Sequence, residues 1–153
     1  MSADTLRPIL AAYRAEVQPH WSAATAHPDY DGAAGSPVGQ CGVTSAWVQR
    51  RLAEDHGIKT RFILGTLFGS ENSEEPLDLR HCWLEFDALP GVLEPVIDLT
   101  ADQYGAEPVI CESWITLIAK DIWYCHRSSR SIEQLADDPV QPRLAILTEA
   151  VGR

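Results

Sequence analysis

The chain has 153 residues, a length typical of one compact domain with a sizeable hydrophobic core. It carries 12 basic and 22 acidic side chains and a formal net charge of −10, so a phosphate-binding surface for nucleic acid is not expected. The 4 cysteines have no zinc-ribbon or zinc-finger spacing, and neither a metal nor any other cofactor is predicted.

The first elements predicted in chain order are two helices separated by a loop. Residues 4–17 are predicted to form the first helix, because their apolar side chains recur at helical spacing. Charged residues interrupt this segment, so it resembles neither a signal peptide nor a membrane span, and we expect a cytoplasmic protein without membrane association. Residues 27–39 are rich in Gly, Pro and Asp, which predicts a surface loop. Residues 42–56 have an amphipathic pattern and predict a second helix that ends at Gly57.

The pattern changes from helical to strand-like after the second helix. Residues 60–68 are rich in β-branched and aromatic side chains and predict a strand. The acidic residues 70–78 that follow are predicted to form a solvated loop. Strands over residues 81–87 and 92–100 come next, joined by a tight turn at residues 88–91.

The C-terminal part is predicted to add a short strand and further helices. Residues 108–111 predict the strand, and the isoleucines within residues 115–125 fit helical spacing. Past these residues we predict one or two short helices, separated by Pro139 and Pro142. Helices followed by a run of strands predict an α+β fold, in which N-terminal helices pack on an antiparallel β-sheet within a single domain over residues 1–153.

Cys41 lies between the predicted loop and the second helix. The unpaired backbone N–H groups and the dipole at a helix start favour an anion there. With a histidinium partner as well, a thiol in such a position has its pKa lowered to about 3.5–7.5, and the thiolate is the reactive form. The alternative is a buried cysteine that packs as a small hydrophobe, which is our interpretation of Cys82, Cys111 and Cys125.

His81 and Asp98 lie on the two strands of the predicted hairpin. Residues paired across an antiparallel hairpin keep a constant sum of sequence numbers, so a turn centred between Leu89 and Pro90 places His81 directly opposite Asp98. Their Cβ atoms would then be about 4.5–5.5 Å apart on one face of the sheet. A carboxylate in that position orients the imidazole and stabilises its protonated form, which leaves the second ring nitrogen for a nucleophile.

Three short motifs resemble those of the transglutaminase-like branch of the papain-like enzymes. Gly-Gln-Cys at residues 39–41 is similar to the family's nucleophile motif, which precedes a helix. His-Cys-Trp-Leu-Glu at residues 81–85 resembles its His-x-Trp-x-Glu strand, and Asp-Leu-Thr at residues 98–100 resembles its Asp-x-Thr. The motifs occur in the family's order, within residues 37–104. The resemblance implies a papain-like core.

The same resemblance implies a catalytic triad. Cys41 corresponds to the nucleophile, His81 to the general base and acid, and Asp98 to the residue that orients His81. Protein crosslinking is not implied, because the chain lacks the length of the large animal enzymes and has Gly42 where they have tryptophan.

Five further residues are candidates for substrate binding or for the oxyanion site. A thioester-forming reaction places negative charge on the former carbonyl oxygen, which needs two donors. The Cys41 N–H is the natural first donor. Branches of the superfamily use an upstream tryptophan or glutamine as the second, and the corresponding residues here are Trp21 or Gln40. Trp83, Asp102 and Gln103 are the remaining candidates for lining the cleft.

The expected function is acyl transfer from a peptide or small amide substrate through a Cys41 thioester, with water as the favoured acceptor over an amine. Peptidases, deamidases and transglutaminases of the superfamily are the models for this reaction. Two alternatives remain open at this stage. One is a catalytically silent module that holds a peptide in its cleft, and the other is an N-acyltransferase that uses an acyl thioester donor. The oligomeric state is not predicted.

Overall fold

A computed structural model describes residues 2–69, 73–86 and 95–153. Its helices are α1 (Ala3–Val17), α2 (Cys41–His56), α3 (Trp114–Ala119) and α4 (Gln141–Val151). Its strands are β1 (Thr60–Phe68), β2 (Pro76–Phe86), β3 (Pro95–Asp98), β4 (Ile110–Ser113) and β5 (Trp123–Arg130). Short 3₁₀ helices lie at Gln18–His20, Ala101–Tyr104 and Glu133–Asp137.

The strands form one sheet. Within the described residues it has 5 strands in the order β4-β3-β2-β1-β5, and each neighbouring pair is antiparallel. The predicted α+β class with an antiparallel sheet is therefore confirmed. The described pairing of β2 with β3 joins Leu84 to Ile97 and Glu85 to Val96, and does not extend to His81. This edge of β2 is therefore open near His81.

The two faces of the sheet carry separate apolar clusters. Helices α1, α2 and α4 cover one face, and the cluster between them includes Leu10, Trp47, Leu84 and Leu147. The cluster on the opposite face includes Ile63, Trp83, Val96, Leu117 and Tyr124. Each fully buried side chain of this size stabilises the fold by about 1.5–3 kcal/mol, so both faces of the sheet contribute to stability.

The strand that carries His81 is longer than predicted. It begins at Pro76, inside the segment 70–78 that we predicted to be a solvated loop. Residues 70–72 of that segment and the predicted turn at residues 88–91 lie outside the described residues. The correction matters for the site, because it adds the five residues 76–80, Asp78 among them, to the strand that carries His81.

The predicted helix over residues 115–125 is wrong in its second half. Helix α3 ends at Ala119, and the chain enters strand β5 at Trp123. Asp121 reverses the chain between the two elements with a φ of 56°. Aspartate adopts this left-handed conformation more readily than most residues, because its short polar side chain bonds locally.

The hairpin register differs from the prediction by two residues. Leu84 lies opposite Ile97, and this register, continued by one residue, places Asp98 opposite Trp83 rather than His81. The prediction of direct opposition is therefore wrong. Side chains alternate between the faces with a period of two, so a two-residue shift leaves His81 and Asp98 on the same face as diagonal neighbours.

Candidate active site

The turn that leads into α2 places Cys41 at the first residue of the helix. Gly39 has a φ of 76°, and a Cβ at this position would lie 2.8 Å from the Cβ of Tyr30, so both conformation and space require glycine. The carbonyl of Gly39 accepts a hydrogen bond of 2.9 Å from the N–H of His27. Cys41 is 7% exposed, at the helix end where unpaired N–H groups stabilise negative charge.

His81 and Asp98 form a buried hydrogen-bonded pair. The Nε2 atom of His81 lies 2.5 Å from Oδ2 of Asp98. The same Oδ2 accepts a hydrogen bond of 2.9 Å from the Tyr124 hydroxyl. Oδ1 accepts from the backbone N–H of Thr100 at 2.8 Å and from its hydroxyl at 3.2 Å. Asp98 therefore has a fixed orientation, and it engages Nε2 of His81 so that Nδ1 is left for another partner.

The thiol of Cys41 interacts with the side chains of both His81 and Cys82. Consecutive residues of a strand point to opposite faces of a sheet. A thiol that reaches both must lie at the edge of β2, on the side where the strand is not paired with β3. The Nδ1 atom of His81 is buried and has no regular hydrogen bond in the described chain. Contacts between nucleophile and base are commonly loose in substrate-free enzymes.

A second carboxylate, that of Asp78, lies on the Nδ1 side of His81. Its Oδ2 is 3.5 Å from Nδ1. Asp78 also accepts hydrogen bonds from the hydroxyls of Tyr30 and Tyr104 and, at 3.0 Å, from the N–H of Arg80. Burial opposes its charge, but the hydrogen bonds and the charge of His81 lower the pKa of Asp78 to about 2. His81 is therefore flanked by two ionised carboxylates.

Sequence reasoning missed Asp78, which we predicted to be solvated within the 70–78 loop. It is buried, whereas the next residue, Leu79, is 61% exposed. A register shift between β1 and β2, located between Gly65 and Leu67, breaks the alternation of side chains in this part of β2. No periodic pattern in the sequence could have placed Asp78 beside His81, because a bulge interrupts the period on which such a prediction depends.

The charges of the site favour a thiolate–imidazolium pair. Burial opposes the charged form of His81, but the carboxylates of Asp98 and Asp78 raise its pKa well above the usual value. A hydrogen bond from Cys82 and, against the cost of burial, the interaction with His81 lower the pKa of the Cys41 thiol well below its usual value. Both shifts favour the transfer of a proton from the thiol to the imidazole, which produces the reactive thiolate.

Cys82 takes part in the site as a hydrogen-bond donor. We predicted it to be a buried thiol acting as a small hydrophobe, and it is indeed buried. Its interaction with Cys41 raises its own pKa well above the usual value, which keeps its proton available to the neighbouring sulfur. The Cys82 carbonyl accepts a hydrogen bond of 3.3 Å from Ser45 of α2, which ties β2 to this helix.

A cleft of about 600 Å³ opens beside Cys41. Cys41 and Cys82 both line it, whereas His81 and Asp98 lie behind them and are buried. A substrate in the cleft therefore meets the sulfur first. The remaining walls come from the loop before α2, from β1, β2 and β5, and from the start of α4, and include Tyr30, Phe62, Arg80, Ser128, Val140 and Arg143.

The two candidates for the second oxyanion donor differ in their partners. The Gln40 side chain is buried and already bonded, since its Nε2 donates to the Ser22 carbonyl at 3.0 Å and its Oε1 accepts from Thr25 at 2.8 Å. The Trp21 ring is buried in the same apolar cluster as Cys41. Its Nε1–H has no acceptor among the described residues. Of these two side chains, Trp21 is therefore the one with a donor that has no described partner, although its ring does not line the cleft.

None of the five candidates is among the residues that line the cleft, and the other three have partners or positions of their own. The Trp83 ring stacks on His81, with centroids 6.1 Å apart, and its Nε1 donates to Glu85 at 3.0 Å. Asp102 instead forms a two-pronged ion pair with Arg14 of α1, at 2.9 and 2.8 Å. Gln103, the third candidate, has a buried Nε2 without a described partner. These positions indicate that Trp83 supports His81 and that Asp102 anchors the chain after β3.

Arg14 fixes the segment that follows Asp98. Besides Asp102, its guanidinium donates to the carbonyls of Leu99 and, at 3.2 Å, of Pro108. Its Cζ lies 4.6 Å from the centroid of the Trp21 ring, a cation–π contact. Helix α1 thus supports both Leu99, the residue next to Asp98, and the ring of Trp21.

Comparison of the chain with models of known families, with curated proteins and with solved structures finds no match. In the part of the chain that the structure describes, no group of three or more His, Cys, Asp and Glu side chains is arranged to hold a metal ion. No helix of residues 2–69, 73–86 and 95–153 is long and apolar enough to cross a membrane.

Proposed function

We propose that the protein is a cysteine-dependent acyl-transfer enzyme that cleaves an amide, with water as the acceptor. The observation that carries the proposal is the buried chain from Cys41 through His81 to Asp98, whose sulfur end alone opens into a cleft. Nucleophile, base and orienting carboxylate in this order form the general arrangement of covalent acyl transfer.

In the first half of the reaction, the Cys41 thiolate attacks the carbonyl carbon of the amide. A C–S bond forms, and one electron pair of the C=O bond moves to the oxygen. The backbone N–H groups at the start of α2 are the donors for this oxyanion. The protonated Nδ1 of His81 then gives its proton to the amide nitrogen as the C–N bond breaks and the amine leaves.

In the second half, water attacks the thioester carbon. Nδ1 of His81, now neutral, takes a proton from the water, and the C–S bond breaks to release the carboxylic acid and restore the thiolate. Asp98 holds the ring in one tautomer throughout, because its Oδ2 stays bonded to Nε2.

The order of elements supports a papain-like core for this enzyme, with the nucleophile at the start of a helix and the other two groups on antiparallel strands. A reducing compartment such as the cytoplasm is the proposed location, since Cys41, Cys82, Cys111 and Cys125 are all free thiols.

The test is acylation by p-nitrophenyl acetate, an activated donor that needs no specific recognition. We expect a burst of p-nitrophenolate, an acetyl thioester found on Cys41 by mass spectrometry, and slow release of acetate. Cys41→Ala should abolish the burst, and His81→Ala should slow both acylation and release.

Cys125→Ala is the matched control, because Cys125 lies on β5 and is outside the lining of the cleft. It should keep the full burst. Acetyl groups spread over several cysteines, or an unchanged burst in Cys41→Ala, would contradict the proposed function.

A further inference from the structure

One cation in the wall of the cleft has a donor without a partner among the described residues. This cation is Arg143, the third residue of α4, which lines the cleft. Its Nη1 is buried and has no hydrogen-bond partner among the described residues. An N–H donor that is buried without a hydrogen bond destabilises the fold, and the loss of stability is larger when the donor belongs to a charged group. An anionic ligand would remove that cost.

The other charged side chains of the cleft are paired or exposed. Arg130 forms an ion pair with Asp138, so these two charges cancel. Arg80 and Asp29 are exposed at the rim. Arg143, a partly buried residue whose Nη1 is buried, is therefore the uncompensated charge among the described lining residues. Its sign opposes the formal net charge of −10, so an anion finds here an attraction that the chain as a whole does not provide.

Gly42 leaves space between the nucleophile and this guanidinium. A Cβ on Gly42 would lie 3.9 Å from Nη2 of Arg143 and 3.8 Å from Sγ of Cys82, so a larger side chain would fill the gap. Bond lengths then place Nη2 within about 9 Å of the Cys41 Cα. One extended substrate residue spans about 3.3–3.6 Å, so a group one residue from the scissile amide is within reach.

We propose that Arg143 forms an anion subsite that binds a carboxylate of the substrate, located within about one residue of the scissile amide. This inference rests on the proposed function and names its substrate class, amides of amino acids or short peptides with a nearby free carboxylate. Arg143 is the residue that sets this specificity, and Gly42 keeps the path to it open.

A carboxylate fits this subsite better than a phosphate does. The planar guanidinium offers two parallel N–H donors, which match the two oxygens of a carboxylate. Asp29, an exposed carboxylate, lies in the same walls, and its negative charge repels a dianion more strongly than a monoanion.

Two alkylating reagents test the subsite. N-bromoacetylglycine carries a carboxylate one residue from the reacting carbon, and N-bromoacetylglycinamide is its neutral match. Both react at the Cys41 sulfur by displacement of bromide. In the wild type, we expect the rate of Cys41 alkylation to saturate at about 10-fold lower concentration of the acid than of the amide. This is the effect expected of one hydrogen-bonded contact to a charged group.

Arg143→Met should remove that preference and leave the rate with the amide within about 2-fold of the wild type. Arg143→Lys should keep part of it, because the charge remains. Arg80→Met, which removes an exposed cation of the same cleft, should keep all of it. Thermal unfolding checks that each variant is folded.

The outcomes separate the two proposals. If neither reagent alkylates Cys41 selectively, the proposed function is wrong. If both do, but the preference for the acid is missing in the wild type, persists in Arg143→Met or is lost equally in Arg80→Met, the subsite is wrong and the catalytic proposal stands.

Discussion

At the scale of single residues, His81 is unusual in having a carboxylate near each ring nitrogen. Asp98 bonds to Nε2 at 2.5 Å, whereas Asp78 lies 3.5 Å from Nδ1. The two carboxylates have different tasks in the proposed reaction. Asp98 orients the ring, and Asp78 adds to the charge that keeps the imidazole protonated until the leaving amine takes the proton.

Asp98→Asn should retain the shape of the side chain but lose the charge that stabilises the His81 imidazolium. It should also allow the neutral His81 imidazole to adopt the wrong tautomer. In the Ser-His-Asp template the corresponding loss is about 10⁴-fold in turnover. A cysteine enzyme should lose less, about 10- to 10³-fold, because its thiol ionises more readily. Steady-state turnover of the p-nitrophenyl ester measures the effect, and circular dichroism checks the fold. Unchanged turnover would place Asp98 outside the catalytic mechanism.

Asp78→Asn should change the pH profile more than the maximal rate. The carboxylate of Asp78 is one of the causes that raise the pKa of His81. Activity that needs the protonated imidazole is present below the pKa of His81 and is lost as the pH rises through it. Removal of the Asp78 charge lowers that pKa, so the alkaline limb of the profile should move to lower pH.

The measurement is turnover against pH for the wild type and Asp78→Asn. Asp29→Asn is a suitable control, because Asp29 is an exposed carboxylate of the same cleft. A limb that stays in place in Asp78→Asn, or moves equally in the control, would show that Asp78 does not act through His81.

At the scale of elements, the sequence predicts what is local and misses what depends on distant pairing. The first two helices and β1 are predicted nearly to the residue, because the capping residues and the apolar period lie within each segment. Helix α2, for example, ends at His56 and is capped by Gly57 as predicted, with Gly57 in the left-handed conformation. Strand β5 was missed, since its residues Trp123 to Cys125 continue a helical spacing and become a strand only by pairing with β1.

The candidate site follows the same rule. The motif residues Cys41, His81 and Asp98 were found from the sequence, and the structure places them in contact as a chain. Asp78 and Cys82 were not predicted as site residues. Asp78 reaches the site because of the bulge between β1 and β2, and Cys82 does so because the Cys41 thiol lies at the edge of β2. Neither feature leaves a periodic trace in the sequence.

The turn before α2 should be sensitive to the loss of Gly39. Gly39→Ala combines a left-handed φ of 76° with a Cβ only 2.8 Å from the Cβ of Tyr30. Gly57→Ala is the matched control, with a φ of 65° and open space around the new Cβ. The control should cost about 1–2 kcal/mol of stability from conformation alone.

Gly39→Ala should cost a further amount of about 1–3 kcal/mol from the steric clash and should displace Cys41 from His81. Urea unfolding measures both free energies, and the rate of Cys41 alkylation reports the displacement. Equal losses of unfolding free energy in the two variants would show that the loop relaxes around the new Cβ. Gly39 would then not fix the position of Cys41.

At the scale of the whole molecule, the buried charges of the site couple stability to acid. The folded pKa of Asp78 is about 2, below the usual value of 3.8. Because folding lowers this pKa, the ionised carboxylate stabilises the fold at pH values above the usual pKa of 3.8. This contribution to stability is lost as the pH falls toward 2. The difference corresponds to about 2 kcal/mol.

Urea unfolding near pH 5 and near pH 2.5 tests this coupling. The wild type should lose more stability between these two conditions than Asp78→Asn does, by about 2 kcal/mol at most. Equal losses would mean that Asp78 has the same pKa in the folded and unfolded chain, contrary to its buried hydrogen bonds.

The central claim, an ionised Cys41 held by His81, is tested most directly by alkylation with iodoacetamide near pH 6, followed by peptide mapping. A thiolate is the reactive form, so Cys41 should be labelled well before Cys82, Cys111 and Cys125. His81→Ala should abolish this selectivity. Equal labelling of all four thiols, or labelling of Cys125 first, would contradict the claim.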